Sequence, residues 1–248
     1  MNDDRATHID LFSGIGGFAI AAERCGWKTV AFCEREKFCQ RVLRKHWPSV
    51  PIIDDIHNLD GREYQGVSLL TGGFPCQPFS HAGQRRGADD DRAIWPEMLR
   101  VITEARPRFV VAENVAGIIN LELDNVLSSL EAASYSVGAV VVPACAVDAR
   151  HRRDRVWIIG SDTLANPGSG RRPRPGQPVN ASNQEAHRER QADESLDGSV
   201  GQEWEAEPDV GRVAYGIPER SHRLRGLGNA IVPQVAEQVL MALIESER

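Results

Sequence analysis

Residues 8 to 26 place the tightest limit on what this chain can fold into. His8-Ile9-Asp10-Leu11-Phe12 reads as a buried strand, and Gly14, Gly16 and Gly17 follow at once. The apolar positions Phe18, Ala19, Ala22 and Cys25 then recur at helical spacing until Gly26 stops them. A strand that turns through glycines straight into a helix is the opening unit of a parallel α/β sheet. Its turn lets a ligand approach the backbone N–H groups at the helix start. Gly14-x-Gly16-x-x-Ala19 also satisfies the dinucleotide fingerprint, so these residues alone admit a nicotinamide-dependent oxidoreductase.

The alternation continues along the chain. Thr29 to Cys33 reads as a second strand, with Glu34 at its end, where an acidic side chain grips a ribose diol; the plain alternative is a surface glutamate ahead of a helix. Lys37 to Trp47 is helical in pattern and stopped by Pro48, and Ile52-Ile53 leads into Asp54 and Asp55, both readable as helix caps. Val67 to Leu70 is another buried strand, and it delivers Gly72-Gly73-Phe74-Pro75-Cys76-Gln77-Pro78-Phe79-Ser80. Pro75 and Pro78 fix two φ angles around Cys76, so the thiol sits on a stiff loop beyond a strand's carboxyl end, a placement that suits a nucleophile. A free cysteine is otherwise a small buried hydrophobe.

Ser80 to Arg92 is rich in Gly, Arg and Asp, which predicts a mobile loop. A helix over Ile94 to Ala105 and a strand over Phe109 to Ala112 follow, with Glu113 ending the strand. Partial burial there would favour a neutral carboxyl able to donate to a ring nitrogen; the alternative is a helix cap. A helix from about Leu121 to Ala133 and a strand from Val137 to Val142 come next, then Arg150 to Arg155 running into Val156-Trp157-Ile158-Ile159. Arg153 and Arg155, two apart at a strand start, face one side and suit an anion or a carbonyl-rich ligand. Val232, Val235, Ala236, Val239, Leu240, Leu243 and Ile244 close the chain as one apolar helix face, with Pro233 tolerated in the first turn.

A chain of 248 residues buries one sizeable core and a small second lobe. Its five cysteines form no C-x-x-C pair, which argues for reduced thiols and against a disulfide framework, a zinc cluster or another metal site. No apolar run reads as long enough to span a bilayer, and Met1 to Arg5 lacks the apolar centre of a signal peptide, so the expected location is cytoplasmic, with no membrane partner. The net charge of −6 is unevenly spread. Arg150 to Arg190 holds nine arginines against four carboxylates, and Gln191 to Val210 holds seven carboxylates and no Lys or Arg. The acidic block reads as a solvated loop, the basic block as a candidate binding face. Leu164 to Asp209 has little apolar periodicity and is either a recognition element or a partly disordered insert.

Taken in order, Asp10 to Gly17, Gly72 to Ser80, Glu113-Asn114-Val115, His151-Arg152-Arg153-Asp154-Arg155 and Gly228 to Gln234 resemble the motif series of the DNA cytosine-5 methyltransferases of bacterial or phage restriction-modification type. The likeness covers residues 8 to 160 and 226 to 248. It implies a doubly wound, Rossmann-like mixed sheet with helices on both faces, plus a small variable target-recognition lobe. Residues 1–160 would be the catalytic and cofactor-binding domain, 161–225 a short recognition segment, and 226–248 a helix returning to the catalytic domain.

The same resemblance implies S-adenosylmethionine as cofactor and double-stranded DNA as partner of a monomer. Cys76, Glu113, Arg153 and Arg155 would be catalytic. Phe12, Gly14, Gly16, Gly17, Glu34, Asp55, Ile56, Gly73, Pro75 and Asn229 would hold the cofactor, with Glu34 on the ribose, Phe12, Asp55 and Ile56 at the adenine, and Asn229 helping to position it. The family usually has glutamine where His151 stands and an apolar residue where Arg35 stands. A nicotinamide enzyme would leave Pro75-Cys76-Gln77 and Glu113-Asn114-Val115 unexplained. A DNA-binding module of the same fold without turnover is the other alternative, and an RNA substrate ranks below DNA because no platform of stacking aromatics is present.

Overall fold

The computed structural model describes residues 6–75, 94–164 and 220–246. Cys76, the Ser80 to Arg92 loop and most of the variable segment, including the acidic block and the arginines from 171 to 190, lie outside the described residues. In chain order the described elements are β1 (Thr7–Leu11), α1 (Gly17–Arg24), β2 (Lys28–Cys33), α2 (Lys37–His46), β3 (Ile52–Ile53) and 3₁₀ turns at Ile56–Asn58 and Gly61–Tyr64. β4 (Leu69–Gly72), α3 (Ile94–Ala105), β5 (Phe109–Val115), α4 (Ile118–Leu121), α5 (Leu123–Ala132) and β6 (Tyr135–Val142) follow. A 3₁₀ turn at Ala144–Val147, β7 (Arg155–Asp162), α6 (Arg220–Asn229) and α7 (Pro233–Glu245) complete the order.

The strands form one mixed sheet in the order β3-β2-β1-β4-β5-β7-β6. β3, β2, β1, β4 and β5 pair in parallel, and β7 runs antiparallel to both β5 and β6. The chain works outward from β1 to β3 and then returns to lay β4 on the other side of β1. The carboxyl ends of β1 and β4 therefore lie side by side at a switch point, with Leu11 opposite Gly72. This junction brings the glycine turn next to the loop that leads to Cys76.

Period-two alternation in the strands divides the core between the two faces. Leu70, Val110 and Ala112 join Met98, Val101 and Ile102 of α3 and Val126 and Leu130 of α5. Leu69, Phe109 and Val111 join Phe18 and Ala22 of α1 and Val235, Val239 and Leu240 of α7. Each of the buried Leu, Val, Ile, Met and Phe side chains contributes roughly 1.5–3 kcal/mol.

Three features depart from the sequence expectation. Glu113 lies inside β5 rather than at its end, because β7 pairs along the strand as far as Val115 opposite Arg155. The helix expected over Leu121 to Ala133 is two helices that meet at Glu122. By length and composition Ser221–Glu245 does reach the size of a membrane span. It is nevertheless broken between Asn229 and Pro233 into α6 and α7, and α7 buries its apolar face against α1 and the sheet, as a core helix does.

Candidate active site

The glycine turn between β1 and α1 is built from conformations that most side chains avoid. Phe12 has φ of 53°, Gly14 of 55° and Gly16 of 91°. Ser13 staples the turn to the sheet by donating its Oγ–H to the Asp10 carbonyl at 2.6 Å, while its N–H donates to the Cys33 carbonyl at 3.2 Å. The three glycines serve different ends. A Cβ on Gly16 would stand 2.5 Å from the Trp47 ring, and one on Gly17 would stand 2.6 Å from Ile231 Cγ1, so both positions are spent on close packing. Gly14 meets nothing within 4 Å and leaves the turn open on that side.

Glu34 follows β2 and faces this opening. Its Oε2 accepts from Gly14 N–H at 2.7 Å and its Oε1 from Glu36 N–H at 2.6 Å. Burial raises its pKa, and backbone hydrogen bonds from Glu36, Gly14 and Arg35 oppose that shift. A carboxylate has about four lone-pair sites, so these backbone bonds leave room to accept from a ligand hydroxyl. Asp55 caps the 3₁₀ turn at Ile56: its Oδ1 accepts from the His57 N–H at 3.0 Å and pairs with His57 Nδ1 at 2.6 Å. These bonds hold its pKa below the ordinary value, backbone bond first, so it is ionised and able to accept from a ligand amine. The Ile56 side chain is buried among the core residues. An open glycine turn, a carboxylate with spare acceptors and an ionised acceptor beyond it suit a nucleoside.

The second half of the site lies across the switch point. Gly73, Phe74 and Pro75 extend β4. Phe74 packs on Trp95 with ring centroids 5.0 Å apart, and its carbonyl accepts from Asn114 Nδ2 at 2.8 Å. Asn114 thus ties the neighbouring strand to the peptide two residues before Cys76, and exposed Pro75 is the last described residue on that loop. A Cβ on Gly73 would stand 3.6 Å from Glu113 Oε2, so the loop backbone runs alongside that carboxylate.

Glu113 is 8% exposed, and its Oε1 lies 2.9 Å from Arg155 Nε. Burial raises its pKa, opposed by the charges of Arg155 and Arg153. A carboxyl balanced in this way can hold a proton and donate it, with the guanidinium beside it to take up the anion.

Arg153 and Arg155 line one small pocket with Glu113 and Trp157, but they are used differently. Arg155 starts β7 and pairs with Glu113. Arg153, at φ of 39°, sends Nη2 to the carbonyls of Gly228 at 2.8 Å and Ala230 at 2.7 Å. Those carbonyls flank Asn229, so Arg153 clamps the α6–α7 link to the start of β7. Ile231 in that link touches Gly17, which closes a ring from the arginine pair to the glycine turn. The clamp is invisible in the sequence, because its partners are more than 70 residues away. The contact of Trp47 with Gly16 is hidden too, because it joins the ends of two separate helices.

The family model for the C-5 cytosine-specific DNA methylases matches residues 6–207. The Type II methyltransferase M.PspPI of Psychrobacter sp. is 39% identical over 163 residues, which is 62% of this chain and 39% of that protein. The Type II methyltransferase M.NgoMIV of Neisseria gonorrhoeae is 38% identical over 120 residues, 48% of this chain and 38% of that protein. The chain therefore spans about 40% of the length of these curated relatives. Among solved structures, the S. pombe Dnmt2 methyltransferase shares the fold with a TM-score of 0.57 and 20% identity over 64% of this chain and 51% of that one.

Proposed function

Because the chain belongs to the C-5 cytosine-specific DNA methylase family, we propose that it transfers a methyl group from S-adenosylmethionine to carbon 5 of a cytosine flipped out of duplex DNA. The observation that carries this reading is the buried Glu113–Arg155 pair, set beside the Gly73–Pro75 backbone that leads into Cys76 and one strand away from the glycine turn.

Carbon 5 of cytosine is a poor nucleophile while the ring is aromatic. The Cys76 thiolate adds to carbon 6, and the electron pair it displaces moves onto the ring. The Glu113 carboxyl donates its proton to ring nitrogen 3 and stabilises the charge that develops there, while Arg155 holds Glu113 and the base carbonyl. Carbon 5, now nucleophilic, takes the methyl. Loss of the carbon 5 proton to a base then returns electrons to the ring and expels the thiolate, and ring nitrogen 3 gives its proton back to the Glu113 carboxylate, which restores the aromatic base and the enzyme. Because both carbons are stacked inside a duplex, the base must leave the helix first. S-adenosylmethionine, when bound, supplies an electrophilic methyl. On this chain Glu34 would accept from its ribose hydroxyls and Asp55 from its adenine amine, with Phe12 and Ile56 packing at the adenine. The backbone of the Gly14–Gly17 turn, the Gly73–Pro75 segment and Asn229 would enclose the rest.

In this reading residues 1–160 form the catalytic domain, 161–225 read the DNA sequence, and 226–248 brace the cofactor side of a cytoplasmic monomer. Arg153 acts as a positioning residue for the Asn229 link. The test is incubation of the purified protein with methyl-tritiated S-adenosylmethionine and duplex DNA, followed by digestion to nucleosides and chromatography. Label in 5-methylcytidine deoxynucleoside is expected, and label only in adenine or on the cytosine amine would overturn the chemistry. The shortness of the variable segment 161–225 favours one alternative, a DNA-binding module of the same fold that does not turn over. It predicts binding of both ligands and no transferred label.

A further inference from the structure

We propose that Arg100 is a positioning residue for adenine recognition, holding from α3 the turn that presents Asp55. This rests on the reading that Asp55 accepts from the cofactor's adenine amine. The turn lies past the edge strand β3, and it consists of two 3₁₀ pieces of three and four residues, Ile56–Asn58 and Gly61–Tyr64. Segments this short do not hold their own shape.

Arg100 supplies what they lack. Its Nη2 donates to the Ile56 carbonyl at 2.9 Å and its Nη1 to the Leu59 carbonyl at 3.0 Å. Nε donates to Glu97 at 2.8 Å and Nη1 also to Glu104 at 2.8 Å, so carboxylates one turn to either side fix the plane of the guanidinium. Glu104 extends the clamp by accepting from Gly61 N–H at 2.9 Å. The approach is tight: a Cβ on Gly61 would stand 2.8 Å from both the Glu104 Cβ and the Val101 carbonyl.

Asp55 is the cap of the turn so held. Both bonds it makes to His57 fall on Oδ1, so Oδ2 is the oxygen that would accept from a ligand, and the Arg35 charge also acts on this carboxylate. The direction of Oδ2 depends on the turn, and the turn on Arg100. A lysine cannot replace it, because one ammonium cannot reach two carbonyls and two carboxylates in a single plane.

A merely structural staple would lower stability and weaken every ligand alike. A positioning residue alters discrimination at the adenine edge. The experiment titrates the full chain by calorimetry with S-adenosylhomocysteine and with S-inosylhomocysteine, in which a carbonyl replaces the adenine amine. Wild type should prefer the adenosyl compound by about tenfold, the value of one hydrogen bond to a carboxylate. Arg100→Lys and Arg100→Met should lose most of that preference, whereas Arg62→Ala, which removes an exposed pair with Asp60 in the same segment, should keep it. Thermal melts establish which variants are folded, and Glu104→Gln reads the same ratio if neither Arg100 variant folds. A folded Arg100→Lys with the wild-type ratio overturns the proposal, provided Asp55→Asn abolishes the ratio. A wild type with no preference overturns the Asp55 assignment itself and this proposal with it.

Discussion

Replacing Asp10 by asparagine should change how stability depends on pH, by an amount that the structure supplies. Asp10 is fully buried beneath the glycine turn and accepts from Thr71 Oγ1 at 3.0 Å. Burial raises its pKa from 3.8 to about 8. The Thr71 hydroxyl spends its proton on Asp10, so His8 Nε2, 2.8 Å away, donates to Thr71. Burial lowers the His8 pKa from 6.5 to about 3, which keeps the ring neutral and leaves Nδ1 to accept from Thr29 at 3.0 Å.

Between pH 3.8 and about 8 the folded chain keeps a proton on Asp10 that the unfolded chain releases, so this group makes stability fall as pH rises. His8 acts in the opposite sense, but only below pH 6.5, where the unfolded chain binds a proton that the folded chain refuses. The two effects offset each other in acid, and Asp10 acts alone between pH 6.5 and 8. One proton across that interval is worth about 2 kcal/mol. Urea unfolding of wild type at the two ends should show a loss of that order beyond whatever Asp10→Asn shows. Asparagine keeps the acceptor for Thr71 and cannot ionise. Groups common to both proteins cancel in the difference, and an unchanged m-value would show that the denatured state is the same. Parallel pH profiles for the two proteins would refute the assignment of a protonated Asp10.

Gly17→Ala places a methyl 2.6 Å from Ile231 Cγ1 and should cost about 1–3 kcal/mol by overpacking, less up to about 1 kcal/mol regained in helix propensity. Ile231→Ala in the same chain should recover most of the loss in urea unfolding, and strict additivity would show that the contact is not tight. Arg153→Met frees the Gly228 and Ala230 carbonyls, so in steady-state assays it should raise the KM for the cofactor more than it lowers kcat, and Arg155→Met should do the reverse. The same pattern in both variants would contradict the division of labour between the two arginines. Glu113→Gln should slow methyl transfer without weakening cofactor binding in calorimetry, because it alters the charge stabiliser and leaves the Glu34 side intact. Equal losses in both would place Glu113 in the cofactor pocket instead.

Local signals in the sequence account for most of the frame. The strand, glycine turn and helix over residues 8 to 26, the strand end at Glu34 and Pro233 at the start of α7 each carry their own chemistry in neighbouring residues. What could not be read there depends on partners far along the chain. β5 runs on through Glu113 only because an antiparallel strand more than 40 residues later pairs with it. α6 is rich in Gly and Arg and offers no strong apolar stripe to recognise. Arg153 reads as a ligand-binding cation until its two carbonyl partners are in place, and Arg100 reads as a surface arginine of a helix until the carbonyls of Ile56 and Leu59 reach it.

The proposed nucleophile is Cys76. Cys33 and Cys39 are poor candidates, because burial pushes their thiols up to about 12 and about 11, and burial raises Cys25 as well. The decisive measurement is a denaturing gel of the protein incubated with cofactor and plasmid DNA whose cytosines carry fluorine at carbon 5. Fluorine cannot leave as a cation, so methyl transfer should stop at the covalent stage and shift the protein band. The shifted band should persist in Cys25→Ser, Cys33→Ser, Cys39→Ser and Cys145→Ser and vanish in Cys76→Ser, and a covalent adduct that survives Cys76→Ser would contradict the account.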